Sequence, residues 1–209
     1  GHEFIGTIDA INGGSGKFNV GDRVSAYPLL SCGHCFACKT GIPHVCQTLK
    51  LIGIDVDGGI AEYVTCDEDV LFKIDEAVSD KAAAVIEPLA VIVRTMHQAN
   101  FQTRDTAAVI GAGPIGLLAA MAALAYGAEP IVIDVVDERL EFARELGVRY
   151  TINSAAQDVV QKVSEYTKGR MAELVMECSG ANAAVRSTLD IVSNAGRITL
   201  TGWPKKETP

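Results

Sequence analysis

Apolar positions recur with two different periods along this chain, and the change falls near residue 97. Before that point, short β-rich runs alternate with glycine turns, in the order EFIGTIDAI, DRVSAYPLL, AEYVTC and VLFKI. Short strands with turn signals between them are typical of a small barrel or sandwich. Residues 1–97 are therefore predicted to form a β-rich domain.

Strand and helix patterns alternate in the second part of the chain, residues 98–209. The strand-like runs are TAAVIG, PIVIDV, RYTIN, AELVMECSG and RITLTG. Between them lie the helical runs PIGLLAAMAALAYG, DERLEFARELG, AQDVVQKVSEYTK and NAAVRSTLDIVSNAG. Strands that alternate with helices of this length indicate βαβ units and a parallel sheet. The predicted fold class is therefore α/β, with a doubly wound sheet following a β-rich domain.

Composition limits the classes of partner. The chain has 209 residues, is 48% hydrophobic and 21% charged, and carries a net charge of −8. No apolar run reaches the ~18 residues that a membrane-spanning helix needs. An acidic chain without a basic patch is a poor partner for nucleic acid or an anionic membrane. We expect a globular protein that binds neither.

The motif GAGPIG follows a predicted strand and opens a predicted helix, which is the context that a dinucleotide-binding G-x-G-x-x-G requires. Glycine lets the backbone approach a pyrophosphate, and the helix N-terminus presents free N–H groups to it. Proline suits the first helical turn. The residues predicted to bind the cofactor here are Gly111, Gly113, Pro114, Ile115 and Gly116.

An acidic residue at the end of the next strand points to the kind of cofactor. Asp134 lies 18 residues after Gly116. A carboxylate there can bond both hydroxyls of an adenine ribose and repels a 2′-phosphate, which favours NAD over NADP. Arg139 is close enough in sequence to reach the same ribose. Because an arginine can also bind a 2′-phosphate, the presence of Arg139 keeps NADP as an alternative cofactor.

Four of the six cysteines lie at C-x2-C-x2-C-x7-C spacing. Zinc, an iron–sulfur cluster and two disulfides compete for them. The bacterial ferredoxin run ends in a three-residue gap and a Cys-Pro pair, whereas here the last gap is seven and Gln47 follows. Clustered cysteines are typical of a local metal site in a cytoplasmic protein rather than a secreted disulfide scaffold. The favoured interpretation is a closed, structural zinc site, formed by Cys32, Cys35, Cys38 and Cys46.

Five motifs in one order carry a family resemblance: GHE, GDRV, the four-cysteine lobe, GGIAEY and the glycine loop. Over essentially its whole length the chain resembles the medium-chain zinc-dependent dehydrogenases, which include alcohol, polyol and threonine dehydrogenases. The resemblance implies a partial GroES-like catalytic domain in residues 1–97 and a partial Rossmann domain in residues 98–209. It also implies NAD, one structural zinc and one catalytic zinc.

The resemblance implies a catalytic zinc bound by His2 of GHE, with Glu3 as a ligand or in exchange with the zinc-bound water. Glu87, in IEPLAV, matches a carboxylate of the polyol and threonine branch, where other alcohol dehydrogenases carry a cysteine. Neighbouring residues on a strand point to opposite faces. His2 and Glu3 can therefore share one metal only if the backbone bends between them, and His2 is the stronger candidate.

The implied reaction is reversible, NAD-dependent oxidation of a secondary alcohol, with a polyol or sugar-derived substrate favoured over an amino alcohol. The TLTG stretch, Thr199 to Gly202, ends the strand nearest the expected nicotinamide. The implied complete enzyme is a cytoplasmic homodimer or homotetramer. One alternative is a non-catalytic relative that binds zinc and NAD. Another is a zinc ribbon that reads nucleic acid, against which the acidic charge and the glycine loop both argue.

The chain departs from the family pattern at both ends. The family's first catalytic zinc ligand is a cysteine upstream of GHE, and the family continues beyond RITLTG. We therefore expect the 209 residues to resemble the middle of a longer enzyme. Alone they are expected to keep the lobe zinc, bind the second zinc and NAD weakly, and show no turnover. RITLTG is expected to be an exposed strand edge that promotes self-association.

Overall fold

A computed structural model describes residues 1–203. The chain divides into two compact units, Gly1–Pro88 and Leu89–Pro209. The domain limit inferred from the sequence at residue 97 stays a prediction. None of the helices within residues 1–203 is long and apolar enough to cross a membrane.

The first unit is built from very short strands. They are β1 (Ile5–Thr7), β2 (Arg23–Ala26), β3 (Leu29–Leu30), β4 (Lys50–Leu51) and β5 (Leu71–Lys73). An antiparallel sheet has the order β1-β2-β5, and β3 pairs with β4. The helices are α1 (Phe36–Lys39), α2 (Asp80–Ala83) and the start of α3 (Ile86–Gln98), with 3-10 turns at Pro43–Val45 and Glu68–Val70.

One predicted strand is absent from the described part of this unit. Residues 61–66, AEYVTC, belong to no sheet, and the Tyr63 side chain is 70% exposed. The sequence has the β-branched and aromatic residues that strands favour. A strand nevertheless needs a neighbour to satisfy its backbone N–H and C=O groups. No described strand pairs with this segment, so the prediction is wrong there.

The second unit is an α/β sheet. Its strands are β6 (Ala107–Ile110), β7 (Ile131–Asp134), β8 (Tyr150–Asn153), β9 (Ala172–Glu177) and β10 (Val192–Leu200). Its other helices are α4 (Pro114–Ala125), α5 (Asp137–Glu145), α6 (Val159–Tyr166) and α7 (Asn182–Ile191). The strand order is β10-β9-β6-β7-β8, and all four pairings are parallel. The strand order reverses between β6 and β9, and ligands bind at such a switch point.

Both faces of this sheet are covered, which explains why its central strands are continuously apolar. All four residues of β6 are buried. Val109 packs on one side with Met96 of α3 and the alanines of α4. Ala108 and Ile110 pack on the other side with residues of α6 and α7. The alternation follows from the two-residue period of a strand, and it confirms the predicted α/β class.

The last strand starts earlier than the sequence predicts. α7 ends at Ile191 and β10 starts at Val192, whereas the helical pattern was expected to continue to Gly196. Ala195 takes a φ of 61°, and the pairing with β9 shifts register between Val192 and Arg197. Val, Asn and Gly are poor helix formers, so strand pairing determines this segment. Among the described strands, β10 pairs only with β9 and lies at the sheet edge.

Candidate functional site

The four cysteine side chains converge, and their Sγ atoms all lie within 4.8 Å of one another. The Sγ···Sγ distances are 3.5 Å for Cys35–Cys38, 3.9 Å for Cys32–Cys38 and 3.9 Å for Cys35–Cys46. A disulfide requires ~2.05 Å between its sulfur atoms. A tetrahedral zinc with bonds of about 2.3 Å implies sulfur atoms about 3.8 Å apart. The observed distances therefore fit a tetrahedral metal and exclude disulfides.

The local fold of this lobe presents backbone N–H groups to the sulfur atoms. The amide of Cys32 donates to Cys46 Sγ and that of Cys35 donates to Cys32 Sγ, both at 3.3 Å. Backbone N–H donors lower the pKa of the Cys46 thiol to about 6 and also lower the pKa of Cys35. Burial raises the pKa of Cys38 to about 11. Donors to sulfur favour the thiolate, which is the form that binds metal.

A second group of potential ligands comes from the two ends of the first unit. His2, Glu3 and Glu87 each place one ligand atom within 4.8 Å of the others. The backbone bends at Glu3, before β1 begins, so the two neighbouring side chains reach the same point. His2 Nε2 lies 3.9 Å from Glu3 Oε1, slightly longer than the ~3.4 Å implied by tetrahedral zinc bonds of about 2.0–2.1 Å. Burial raises the pKa of Glu87, opposed by the nearby His2.

Close backbone packing positions His2. A Cβ added to Gly58 would lie 2.3 Å from the Gly1 oxygen, and one added to Gly59 would lie 2.3 Å from Cγ of Phe4. The Gly59 amide donates to the Gly1 oxygen at 2.8 Å. The two glycines of GGIAEY therefore allow the loop to lie directly against the segment that carries His2.

Arg23 of GDRV fixes the segment that leads to Glu87. Its guanidinium donates to the Val78 oxygen at 2.9 Å and to Asp80 Oδ1 at 2.5 Å. Asp80 is the first residue of α2, and Ser79 caps that helix by accepting from the Ala82 amide. Glu87 follows in the first turn of α3. The GDRV motif thus links β2 to α2, and α3, which follows α2, carries the Glu87 carboxylate.

The glycine loop lies at the carboxyl end of β6, as predicted. Gly111 has a φ of +101°, which favours glycine. A Cβ on Gly116 would lie 1.7 Å from the Gly111 oxygen, so only glycine allows this close turn. Pro114 is the first residue of α4, after Gly113. The first-turn N–H groups of a helix have no partner within it, and in α4 these include the amides of Ile115 and Gly116.

Asp134 ends β7 with a buried carboxylate beside this loop. Its Oδ2 accepts from the Ala112 amide at 2.6 Å, and its Oδ1 accepts from the amides of Val135 and Val136 at 2.8 and 3.0 Å. Arg139 Nη1 lies 3.6 Å from Asp134 Oδ2. The structure therefore brings together the glycine loop, Asp134 and Arg139.

Comparisons with known proteins agree with both units. Residues 1–76 match the family "Alcohol dehydrogenase GroES-like domain", and residues 114–209 match "Zinc-binding dehydrogenase". An uncharacterized zinc-type alcohol dehydrogenase-like protein of Haemophilus influenzae is 42% identical over 210 residues, covering 100% of this chain and 61% of the relative. A sorbitol dehydrogenase of Bacillus subtilis is 35% identical over 208 residues, covering 99% of this chain and 59% of the relative.

A solved structure agrees as well. The RspB alcohol dehydrogenase of Escherichia coli, complexed with NADH, matches with a TM-score of 0.89 and 36% identity, covering 100% of this chain and 62% of that one. This chain belongs to the zinc-dependent medium-chain alcohol dehydrogenase family. The predicted GroES-like and Rossmann parts are confirmed, with zinc and NAD(H) as the cofactors that the family uses. The chain spans about 60% of the length of the relatives it matches.

Three residues with close contacts in this chain could not be identified from the sequence. Arg23 and Gly58 lie in motifs that only marked the family, and no role followed from their spacing. Glu177, in the run AELVMECSG, is fully buried at the end of β9. The one available signal for it was a charged residue at the end of an apolar strand, two positions before the Ser179-Gly180 pair.

Proposed function

We propose that this chain carries the metal-binding and NAD-binding parts of a dehydrogenase that oxidises a secondary alcohol, most suitably a polyol, to a ketone. The observation that carries the proposal is the convergence of His2, Glu3 and Glu87. Catalytic zinc sites use three protein ligands and keep a fourth position open. With the upstream cysteine that the family pattern supplies, that position would be open when Glu3 exchanges with the zinc-bound water. The four-cysteine lobe has no open position and suits a structural metal.

Two separate sets of residues would hold the two metal ions. His2 Nε2 and the carboxylates of Glu3 and Glu87 would hold the catalytic metal, and the lobe thiolates would hold the other. When bound, zinc supplies Lewis acidity that lowers the pKa of an alcohol, and NAD supplies the hydride acceptor. Glu87 is half-buried, so water screens its charge less than that of the exposed Glu3, which strengthens its attraction to a cation.

Asp134 supports NAD as the preferred cofactor. A carboxylate offers about four acceptor directions, and three backbone N–H groups already use Asp134. About one direction is left for a ribose hydroxyl, so bonds to both hydroxyls would require a shared acceptor. The negative charge also disfavours a 2′-phosphate.

The polyol assignment rests on Glu87 and on the resemblance to polyol dehydrogenases. The sorbitol dehydrogenase relative from Bacillus subtilis supports the same substrate class. A threonine-type amino alcohol is the alternative. An activity screen of the complete protein with polyols, diols and threonine, each with NAD and NADP, separates the two. Turnover of threonine alone would contradict the polyol proposal.

The metal proposal is tested with a matched pair of histidine variants. His2→Asn should abolish turnover and remove one of two zinc ions per chain from the complete protein, because it removes the nitrogen ligand. His97→Asn is the control, since His97 is exposed on α3. An unchanged zinc content in His2→Asn would contradict the role of His2. One zinc per chain in the unmutated protein would instead support the non-catalytic alternative.

The cofactor proposal is tested at Asp134. Asp134→Ser should raise KM for NAD and improve relative use of NADP, because the substitution removes a ribose acceptor and a charge that repels the 2′-phosphate. The control is Asp137→Ser, which changes the same residue type at the start of α5. A preference for NADP in the unmutated protein would show that the assignment of Asp134 is wrong.

A further inference from the structure

Glu177 is a fully buried carboxylate at the carboxyl end of β9, and no part of the proposed chemistry uses it. Its Oε1 accepts from the Ser179 amide at 2.8 Å, from Ser179 Oγ at 2.5 Å and from the Gly180 amide at 3.0 Å. Its Oε2 lies 3.2 Å from the Gly180 amide. One side chain therefore fixes both residues of the turn that follows the strand.

That turn lies against the glycine loop. β6 and β9 are neighbours in the sheet, with Ile110 opposite Glu177. The loops that follow the two strands leave so little space that a Cβ on Gly111 would lie 3.0 Å from both Cβ and N of Ser179. The position of Ser179 therefore determines how far the turn stands from Gly111.

The segment after β10 also meets Glu177. The amides of Thr201 and Gly202 donate to the Glu177 backbone oxygen at 2.8 and 2.9 Å. A Cβ on Gly202 would lie 2.5 Å from Glu177 Oε2, and one on Gly180 would lie 2.4 Å from the Trp203 oxygen. Glu177 thus contacts both the turn after β9 and the segment after β10, and that turn in turn lies against the glycine loop.

Two buried acidic residues, one on each neighbouring strand of β6, hold the glycine loop in different ways. Asp134 on β7 binds the loop directly through the Ala112 amide. Glu177 on β9 acts through Ser179, which packs on Gly111. The loop is therefore held between two carboxylates, one in contact with it and one that acts through a neighbouring residue.

We propose that Glu177 is a positioning residue of the cofactor site: by fixing Ser179 and Gly180, it sets the separation between the turn after β9 and the glycine loop, and with it the affinity for the dinucleotide. The proposal rests on the proposed function in one respect, namely that the glycine loop binds NAD. The positional part concerns the chain without cofactor and can be measured independently.

The substitution Glu177→Gln keeps the size of the side chain and changes one acceptor into a donor. If the amide oxygen takes the Oε1 position, the NH2 group faces the Gly180 amide, so that two donors meet at 3.2 Å. Bonds to a charged acceptor are also replaced by weaker neutral ones. We expect amide hydrogen exchange to speed up in residues 178–181 and 111–113. The dissociation constant for NADH, from a fluorescence titration, should rise about tenfold, the effect of one strong bond.

Glu173→Gln is the matched control. Glu173 lies on the same strand at its other end, and its Oε2 accepts from the Thr106 amide at 2.8 Å. The same chemical change at Glu173 should leave the NADH affinity within about twofold of that of the unmutated chain, because substitutions away from a binding site have small effects. If Glu177→Gln fails to fold, Ser179→Ala provides a second variant, because it leaves Glu177 in place and removes the hydroxyl that donates to Glu177 and accepts from the Ala181 amide at 3.2 Å. Its smaller, several-fold loss of affinity should again be accompanied by faster exchange in residues 178–181.

The outcomes separate the two proposals. Faster exchange with weaker NADH binding in Glu177→Gln, and neither in Glu173→Gln, supports the positioning role. Unchanged exchange, or NADH affinity within twofold of the unmutated chain, overturns it. Equal losses in both variants also overturn it, since they indicate a general loss of stability. Absence of NADH binding by the unmutated chain contradicts the proposed function, while the exchange measurement still decides whether Glu177 fixes the turn.

Discussion

The two candidate metal centres are built in opposite ways within the same unit. The cysteine lobe takes all four ligands from residues 32–46, and a short helix and turns shape it locally. The second centre joins His2 and Glu3 to Glu87, which lies at the far end of the unit's sequence. A local, closed site should persist while its own segment is intact. A site assembled from distant segments depends on everything that holds those segments together.

The largest expected effect comes from the lobe. Cys38→Ser removes one of four thiolates, and because metal binding and local folding are coupled, we expect loss of about one zinc per chain and rapid proteolysis within residues 32–46. The measurement is zinc content together with limited proteolysis. Cys66→Ser is the control, since Cys66 lies outside the lobe. An unchanged zinc content and unchanged proteolysis in Cys38→Ser would refute the structural-zinc interpretation.

Chelation should separate the two centres without mutation. After loading with zinc, EDTA is expected to remove metal first from His2, Glu3 and Glu87, because nitrogen and oxygen ligands in an open site hold zinc less tightly than four thiolates. Stopped-flow release followed with a zinc indicator should show two phases. In Cys38→Ser the slow phase should disappear. A slow phase that survives in that variant would show that the lobe is not the tighter site.

The difference between a site formed within one segment and a site assembled from distant segments also explains how much could be predicted from the sequence. Spacing alone indicated the lobe, because all its ligands are close in the chain. The second centre followed only from family resemblance, since nothing local links His2 to Glu87. The βαβ order was predicted correctly because periodicity is local too. The strand at residues 61–66 and the start of β10 were wrong because pairing with other strands decides them.

A moderate effect is expected from the glycine that positions His2. A Cβ on Gly58 would lie 2.3 Å from the Gly1 oxygen and 2.4 Å from the Gly53 Cα. Gly58→Ala must therefore shift backbone, at a cost of roughly 1–3 kcal/mol in unfolding free energy. We expect zinc affinity at the second centre to fall about tenfold, equivalent to ~1.4 kcal/mol, while the lobe keeps its metal.

Gly6→Ala is the matched control for that variant. Gly6 lies on β1, and nothing is within 4 Å of its added Cβ. The change should alter unfolding free energy by less than about 0.5 kcal/mol and leave both metals in place. Denaturant unfolding and competitive zinc titration measure the two quantities. Equal zinc affinity in the two alanine variants would show that contact between the Gly58 loop and Gly1 does not position His2.

The smallest expected effect distinguishes the two carboxylates of the second centre. The Glu3 side chain is 54% exposed, whereas Glu87 is half-buried and its pKa is raised by burial. Water screens the exposed charge, so Glu3→Gln should weaken zinc binding only about two- to fivefold, the effect of one exposed ion pair. Glu87→Gln should weaken it more. Because the raised pKa of Glu87 makes its carboxyl protonate at a higher pH than an exposed one, acid should compete with zinc at Glu87 before it competes at Glu3. Zinc affinity measured by titration from neutral to acidic pH should therefore fall more steeply in the unmutated chain than in Glu87→Gln, which has no proton to gain at that position. Parallel pH curves for the two chains would show that Glu87 does not contact the metal.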